Sequence, residues 1–237
     1  MRPGDDLAAL LAAAAPDDLA DGDVLAVAHK VVSKAEGRVR LLEEVEPGER
    51  ALALAAEHDK DARLVQAVLD ESEEVLRAER GVLVCVTRHG LVCANAGVDQ
   101  SNATTGGGEL VLLPDDPDAS AAALRDGIER ERGVRPAVVI SDSFGRAWRL
   151  GQTDVAIGAA GIAPLEDWVG RPDGFGRELR VTSIAVADAV AAAADLARAK
   201  DSLEPVVLLR GLERHVTREH GPGAAALRRP PELDLFR

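Results

Sequence analysis

Tyrosine is missing from this 237-residue chain, and the other aromatics are scarce: three Phe and two Trp, 2% in all. Alanine, valine and leucine must therefore fill the interior, which suits helices lying close on sheets. Only two cysteines occur, Cys85 and Cys93, each inside an apolar run. Two thiols cannot complete a four-thiolate zinc site, and no compact His/Cys cluster stands elsewhere. Buried, reduced thiols of a cytoplasmic protein are the expectation. Positive charge is also in short supply, with 28 Lys and Arg against 41 Asp and Glu, a formal net charge of -13. That argues against sequence-independent nucleic-acid binding, which relies on cations neutralising phosphates. A few local cations still suffice for a nucleotide. The opening MRPGDDLAALLAAAAPDD breaks its alanine run with acids and proline, so neither a leader peptide nor a membrane span is expected. Nor is there a GxxxxGK[ST] segment, which rules out a P-loop.

Regular elements are nonetheless easy to place. Gly4-Asp5-Asp6 predicts the start of a helix that runs to about Ala15 and is closed by Pro16. Val24 to Ala28 reads as a strand, Pro47 to Glu57 and Asp61 to Leu69 as helices, and Glu73 to Ala78 as a strand. Val82 to Val86 and Leu91 to Ala94 form a predicted hairpin with His89 at its tip. Leu110 to Leu113 is a strand and Asp118 to Arg132 an amphipathic helix with Arg in its last turn. Ala137 to Ile140 and Val155 to Ile162 read as buried strands. Pro164 to Arg177 is a glycine-rich excursion carrying Trp168, Thr182 to Lys200 a long alanine-rich helix, and Pro205 to Leu209 a last strand. From Glu219 onward a partly ordered tail is expected. Strand-rich and helix-rich stretches alternate irregularly, so the fold class is α+β with a mixed sheet, in one unit with room for two subdomains.

Chemistry-bearing residues concentrate in two loops. One follows Ile140 and holds Ser141, Asp142, Ser143, Gly145, Arg146, Trp148 and Arg149. The other runs from Asn95 to Glu109 and holds Asp99, Asn102 and Gly106 to Gly108. Asp142 and Ser143 offer the hard oxygens that Mg²⁺ or Mn²⁺ prefers. Were the strands before these loops neighbours, Asp99 and Asp142 would flank a shared cation. Lys30 and Lys34, four apart behind the first strand, would meet phosphates, and Arg146 a carboxylate. Physical reading reaches a metal-dependent site for an anionic ligand, with a phosphorylated one among the candidates, and no further.

The segments PGDDLAALL, DGDVLAVAHKVVSKAEGR, ANAGVDQSN, SDSFGRAWRLGQTDVAIGAAG and PVVLLRG stand in the order found in the coenzyme F420-0:L-glutamate ligases, or F420-0:gamma-glutamyl ligases. By them the chain resembles that family from about residue 3 to 215, the rest of 1–237 being the tail at 219–237. The resemblance implies a GTP-dependent ligase adding L-glutamate, and then further γ-linked glutamates, to coenzyme F420-0 through an acyl phosphate. It implies Mg²⁺ or Mn²⁺, with room for K⁺, and a homodimer in the cytoplasm. Carried across, Asp99, Asp142 and Ser143 match metal contacts, with Asp201 aligned loosely as a further one. His29, Lys30, Lys34 and Asn102 match nucleotide contacts, and Asp142 and Arg146 are expected to serve catalysis. In the family a Gly/Pro-containing segment precedes PGDD and contributes to the GTP site, whereas here Met-Arg stands directly before it. Two other readings therefore remain beside the ligase: an F420- or nucleotide-binding paralog without catalysis, and an amide ligase for another carboxylate.

Overall fold

A computed structural model describes residues 1–100, 108–199 and 201–234. Asn102, Gly106 and Gly107 lie outside the described residues. Helix α1 (Leu7–Ala14) ends ahead of Pro16, and β1 (Val24–Ala28) runs straight into the short helix α2 (His29–Ala35). Then come β2 (Val39–Leu41), α3 (Glu49–His58), α4 (Ala62–Asp70), β3 (Ser72–Glu79), β4 (Val82–Thr87) and β5 (Val92–Ala94). Strand β6 (Glu109–Val111) and helix α5 (Pro117–Arg132) lead to β7 (Ala137–Arg146) and β8 (Arg149–Ala160). The order closes with β9 (Leu165–Asp167), β10 (Ser183–Ala185), α6 (Val186–Ala197) and β11 (Val206–Leu209). The architecture is α+β with mixed sheets, as expected.

Two compact units account for the chain. The first comprises Met1–Leu7, Ala28–Asp116 and Asp142–Thr153. Its core is Ala51 and Ala55 of α3, Val65 and Val68 of α4, and Leu83, Cys85, Val98 and Leu110. Asp61 caps α4 by accepting from the Arg63 N–H at 2.9 Å, filling one of the donors a helix start leaves open. Strands β3, β4 and β5 make a three-stranded sheet in that order, with Cys85 directly opposite Cys93. Arg38 donates to both carboxylate oxygens of Glu71 at 2.8 Å and to the Leu113 carbonyl, so it braces this unit's fold. His89 is the turn residue it was expected to be, with Nε2 2.9 Å from the Pro114 carbonyl.

The second unit comprises Ala8–Val27, Pro117–Ser141 and Asp154–Arg237. Its sheet has the order β11-β1-β7-β8, with β1 and β11 antiparallel. Val186, Ala187, Val190, Ala191 and Ala194 of α6 bury one stripe against Val24, Ala26, Val139 and Ala156. The three alanines among them let helix and sheet approach closely. Gly158 of β8 continues the same rule: a Cβ there would lie 2.2 Å from the Pro117 carbonyl oxygen. Buried Arg125 of α5 donates to the carbonyls of Pro136, Thr217, Arg218 and Glu219, which offsets the cost of taking its charge from water.

Three expectations are corrected. Asp142 does not sit in a loop, because β7 continues through it to Arg146 and pairs with the long β8. The polar residues after Ile140 hide this strand, since one that is half solvated carries no apolar run. The alanine-rich helix begins at Val186 instead of Thr182, because Ser183, Ile184 and Ala185 pair with Asp167, Glu166 and Leu165. The expected tail is ordered as far as it is described. Ala224 is buried, and Asp118 accepts from the N–H groups of Ala224 and Ala225.

Candidate functional site

Helix α2 sorts its residues into two faces. His29, Val32 and Ser33 are buried, at the i, i+3 and i+4 positions of one side. Lys30 and Lys34, four apart, share another side and are half-buried. On the buried face the His29 ring, 2% exposed, has Nδ1 3.3 Å from Ser33 Oγ. Its Nε2 lies 3.3 Å from Asp142 Oδ1, close enough for attraction but without hydrogen-bond alignment. The next residue, Lys30, places Nζ 2.5 Å from Asp99 Oδ2. Consecutive residues thus each reach one of the two acids, from Cα atoms about 3.8 Å apart.

Each acid is held by its own backbone. Before Asp99 the chain passes through three residues with positive φ: Asn95 at 51°, Ala96 at 52° and Gly97 at 71°. A non-glycine residue pays for this conformation, and Gly97 is further constrained because a Cβ there would press on Leu113 at 2.8 Å. The turn delivers Asp99 to an antiparallel bridge with Val111, closed by hydrogen bonds of 3.0 and 2.9 Å. Asp142 lies on β7, and its Oδ1 accepts from the Ser143 N–H at 2.8 Å. Cys93 of β5 feels the same carboxylate. Burial first, then the Asp142 charge, push its thiol up to about 12.

The strands preceding the two acids are not neighbours: β5 belongs to the three-stranded sheet and β7 to the four-stranded one. Helix α2 replaces the expected strand pairing as the element both acids meet. Ser143 follows Asp142 and is half-buried. Arg146 is exposed and donates to the Leu150 carbonyl at 2.7 Å, tying the β7–β8 hairpin together. Asp201 is an exposed residue of the second unit. Ser33, which its place between the two lysines suggests for a phosphate, is instead fully buried behind His29. Its four-residue spacing from His29 was the available signal, invisible while the segment was not read as a helix.

Among the described residues, no three His, Cys, Asp or Glu side chains gather into a metal-holding group. In donor chemistry, two carboxylates and a hydroxyl are the oxygen ligands that Mg²⁺ or Mn²⁺ accepts alongside substrate phosphate and water. The residues present fit a hard divalent cation. Among the described residues, no helix is long and apolar enough to cross a membrane.

The sequence profile of the F420-0:Gamma-glutamyl ligase family matches residues 1–211. A Methanopyrus kandleri protein named Coenzyme F420:L-glutamate ligase is 46% identical over 239 residues, which cover 100% of this chain and 93% of the relative. A protein of the same name from Methanothermobacter thermautotrophicus is 44% identical, covering 99% and 93%. A third, from Haloarcula marismortui, is 45% identical, covering 100% and 91%.

Proposed function

The chain belongs to the F420-0:gamma-glutamyl ligase family, and from that premise we propose that it joins L-glutamate to coenzyme F420-0 in coenzyme F420 biosynthesis, with GTP as the energy source. The observation that carries the site assignment is the pairing of Asp142 with His29 and of Asp99 with Lys30 at the head of one helix. In the proposed reaction the γ-phosphoryl group of GTP passes to the acceptor carboxylate, giving an acyl phosphate and GDP. The glutamate amine then attacks the carbonyl carbon, the C–O bond to phosphate breaks, and the amine gives up its proton as the amide forms. Repetition on the new γ-carboxylate extends the chain.

Phosphoryl transfer of this kind asks a protein mainly for positioning and charge neutralisation. Asp99, Asp142 and Ser143 are the residues that would hold Mg²⁺ or Mn²⁺, with Asp201 as a further candidate and K⁺ as an accompanying ion. The divalent ion supplies charge neutralisation on the phosphates when bound. Lys30 and Lys34, on one face of α2, supply mobile positive charge for the triphosphate, joined by Asn102. His29 stands behind them. Arg146 is proposed to meet a carboxylate or phosphate of the substrates, and a homodimer is the proposed assembly.

Incubation with F420-0, L-glutamate, GTP and Mg²⁺ or Mn²⁺, followed by mass spectrometry, tests the reading. Products heavier by one or more glutamate residues, with GDP released, are expected. Absence of any glutamylated product with GTP would remove the proposal.

A further inference from the structure

Two facts about Asp142 stand together. Both the Ser143 N–H, at 2.8 Å, and the His29 ring nitrogen Nε2, at 3.3 Å, approach the same oxygen, Oδ1. Both of these approaches thus fall on one of the two carboxylate oxygens. His29 is itself fixed from behind, because Ser33, 0% exposed, holds Nδ1 at 3.3 Å. If the Ser33 hydroxyl donates to Nδ1, the ring proton sits on Nε2, the nitrogen 3.3 Å from Asp142 Oδ1. That Nε2 is buried without an aligned partner. An interior serving packing alone would favour a leucine, since an unpaired buried N–H costs free energy.

We propose that His29 is the positioning residue that decides which oxygen of Asp142 faces the divalent cation. It draws Oδ1 toward the interior together with the Ser143 N–H, so that Asp142 offers the cation one oxygen, Oδ2, in one orientation. Ser33 fixes the ring and its tautomer. The arrangement is a relay of Ser33, His29 and Asp142 in which only the last member touches the ion. Outer partners of metal ligands commonly act this way, and their loss weakens metal binding ~10–100-fold. The inference rests on the proposed role of Asp142 as a metal ligand.

The test reads Mn²⁺ binding by the purified, nucleotide-free protein, from the loss of the free-ion electron paramagnetic resonance signal during titration. Wild type and the variants Asp142→Asn, His29→Leu, His29→Gln and Ser33→Ala are compared. Binding by wild type and its loss in Asp142→Asn establish the metal reading independently. His29→Leu is then expected to bind Mn²⁺ ~10-fold more weakly, and His29→Gln, whose amide keeps a donor near the Nε2 position, to regain most of that affinity. Rescue by glutamine separates orientation of the carboxylate from mere packing. If His29→Leu does not fold, Ser33→Ala carries the test, with weakened Mn²⁺ binding at unchanged melting temperature as the expected result. Wild-type affinity in folded His29→Leu, or in Ser33→Ala when the leucine variant does not fold, overturns the positioning role and leaves the metal reading intact. A wild-type protein that leaves Mn²⁺ free overturns both.

Discussion

Arg198 donates to Asp154 Oδ2 at 2.7 Å in the interior of the second unit, where the two side chains are 9% and 7% exposed. Ser141 adds its hydroxyl to the same carboxylate oxygen at 2.8 Å. Removing one member of such a pair leaves an uncompensated charge in a poorly solvated place. Arg198→Met should therefore lower stability by about 3–5 kcal/mol, and Arg198→Met with Asp154→Leu should recover much of the loss. Urea unfolding midpoints of the three proteins check both statements.

Asp142→Asn should abolish glutamylation while costing no more than about 1 kcal/mol of stability, since the isostere changes charge and little else. Turnover by mass spectrometry and the melting temperature of the same sample decide the matter. Wild-type turnover would remove Asp142 from the chemistry.

Cys93 makes a pH prediction. Burial, the Asp142 charge and Cys85 raise its thiol from the ordinary 9.0 to about 12, and burial raises Cys85 as well. The folded protein keeps Cys93 protonated where the unfolded chain would ionise it. Stability from this source is thus fully present below pH 9.0 and declines as pH rises toward about 12. At pH 8 neither thiol should react with iodoacetamide until urea is added. Rapid alkylation of the native protein would contradict this.

Asp61 predicts the opposite slope. Its side-chain hydrogen bond with Arg63, followed by the Arg63 backbone N–H, holds the carboxyl at about 2 against an ordinary 3.8. The contribution is present above 3.8 and fades as pH falls toward about 2. Asp61→Ala should cost ~1 kcal/mol at neutral pH through loss of the cap, read from urea midpoints, and should flatten the acid limb of the stability profile.

The turn before Asp99 is sensitive at Ala96, which is buried with φ at 52°. Ala96→Val combines a branched side chain in the left-handed region with overpacking, and should cost about 2 kcal/mol or more. Activity should fall with it, because the bridge between Asp99 and Val111 starts two residues beyond Gly97. Denaturation and glutamylation assays on one preparation measure the two together.

Much of this was legible before any coordinates. Strand β1 and helix α5 announce themselves through an apolar run and an amphipathic face with a charged last turn. Helix α2 stayed hidden because Val31, Val32 and Ser33 are weak helix formers and tertiary burial overrode them. The strand beyond Ile140 stayed hidden because its residues are polar. The His29–Asp142 contact spans more than a hundred positions, and local pattern carries no information about such a meeting.

The Arg125 clasp has a consequence for the chain as it is made. Its carbonyl partners at Thr217, Arg218 and Glu219 are 92, 93 and 94 residues further along. Until they emerge from the ribosome, the guanidinium has water and the nearby Arg135 and Pro136 carbonyls to meet its charge. A nascent chain stalled before Thr217 would therefore hold this charge without three of its native carbonyl partners, and such incompletely paired chains are the ones chaperones and proteases meet.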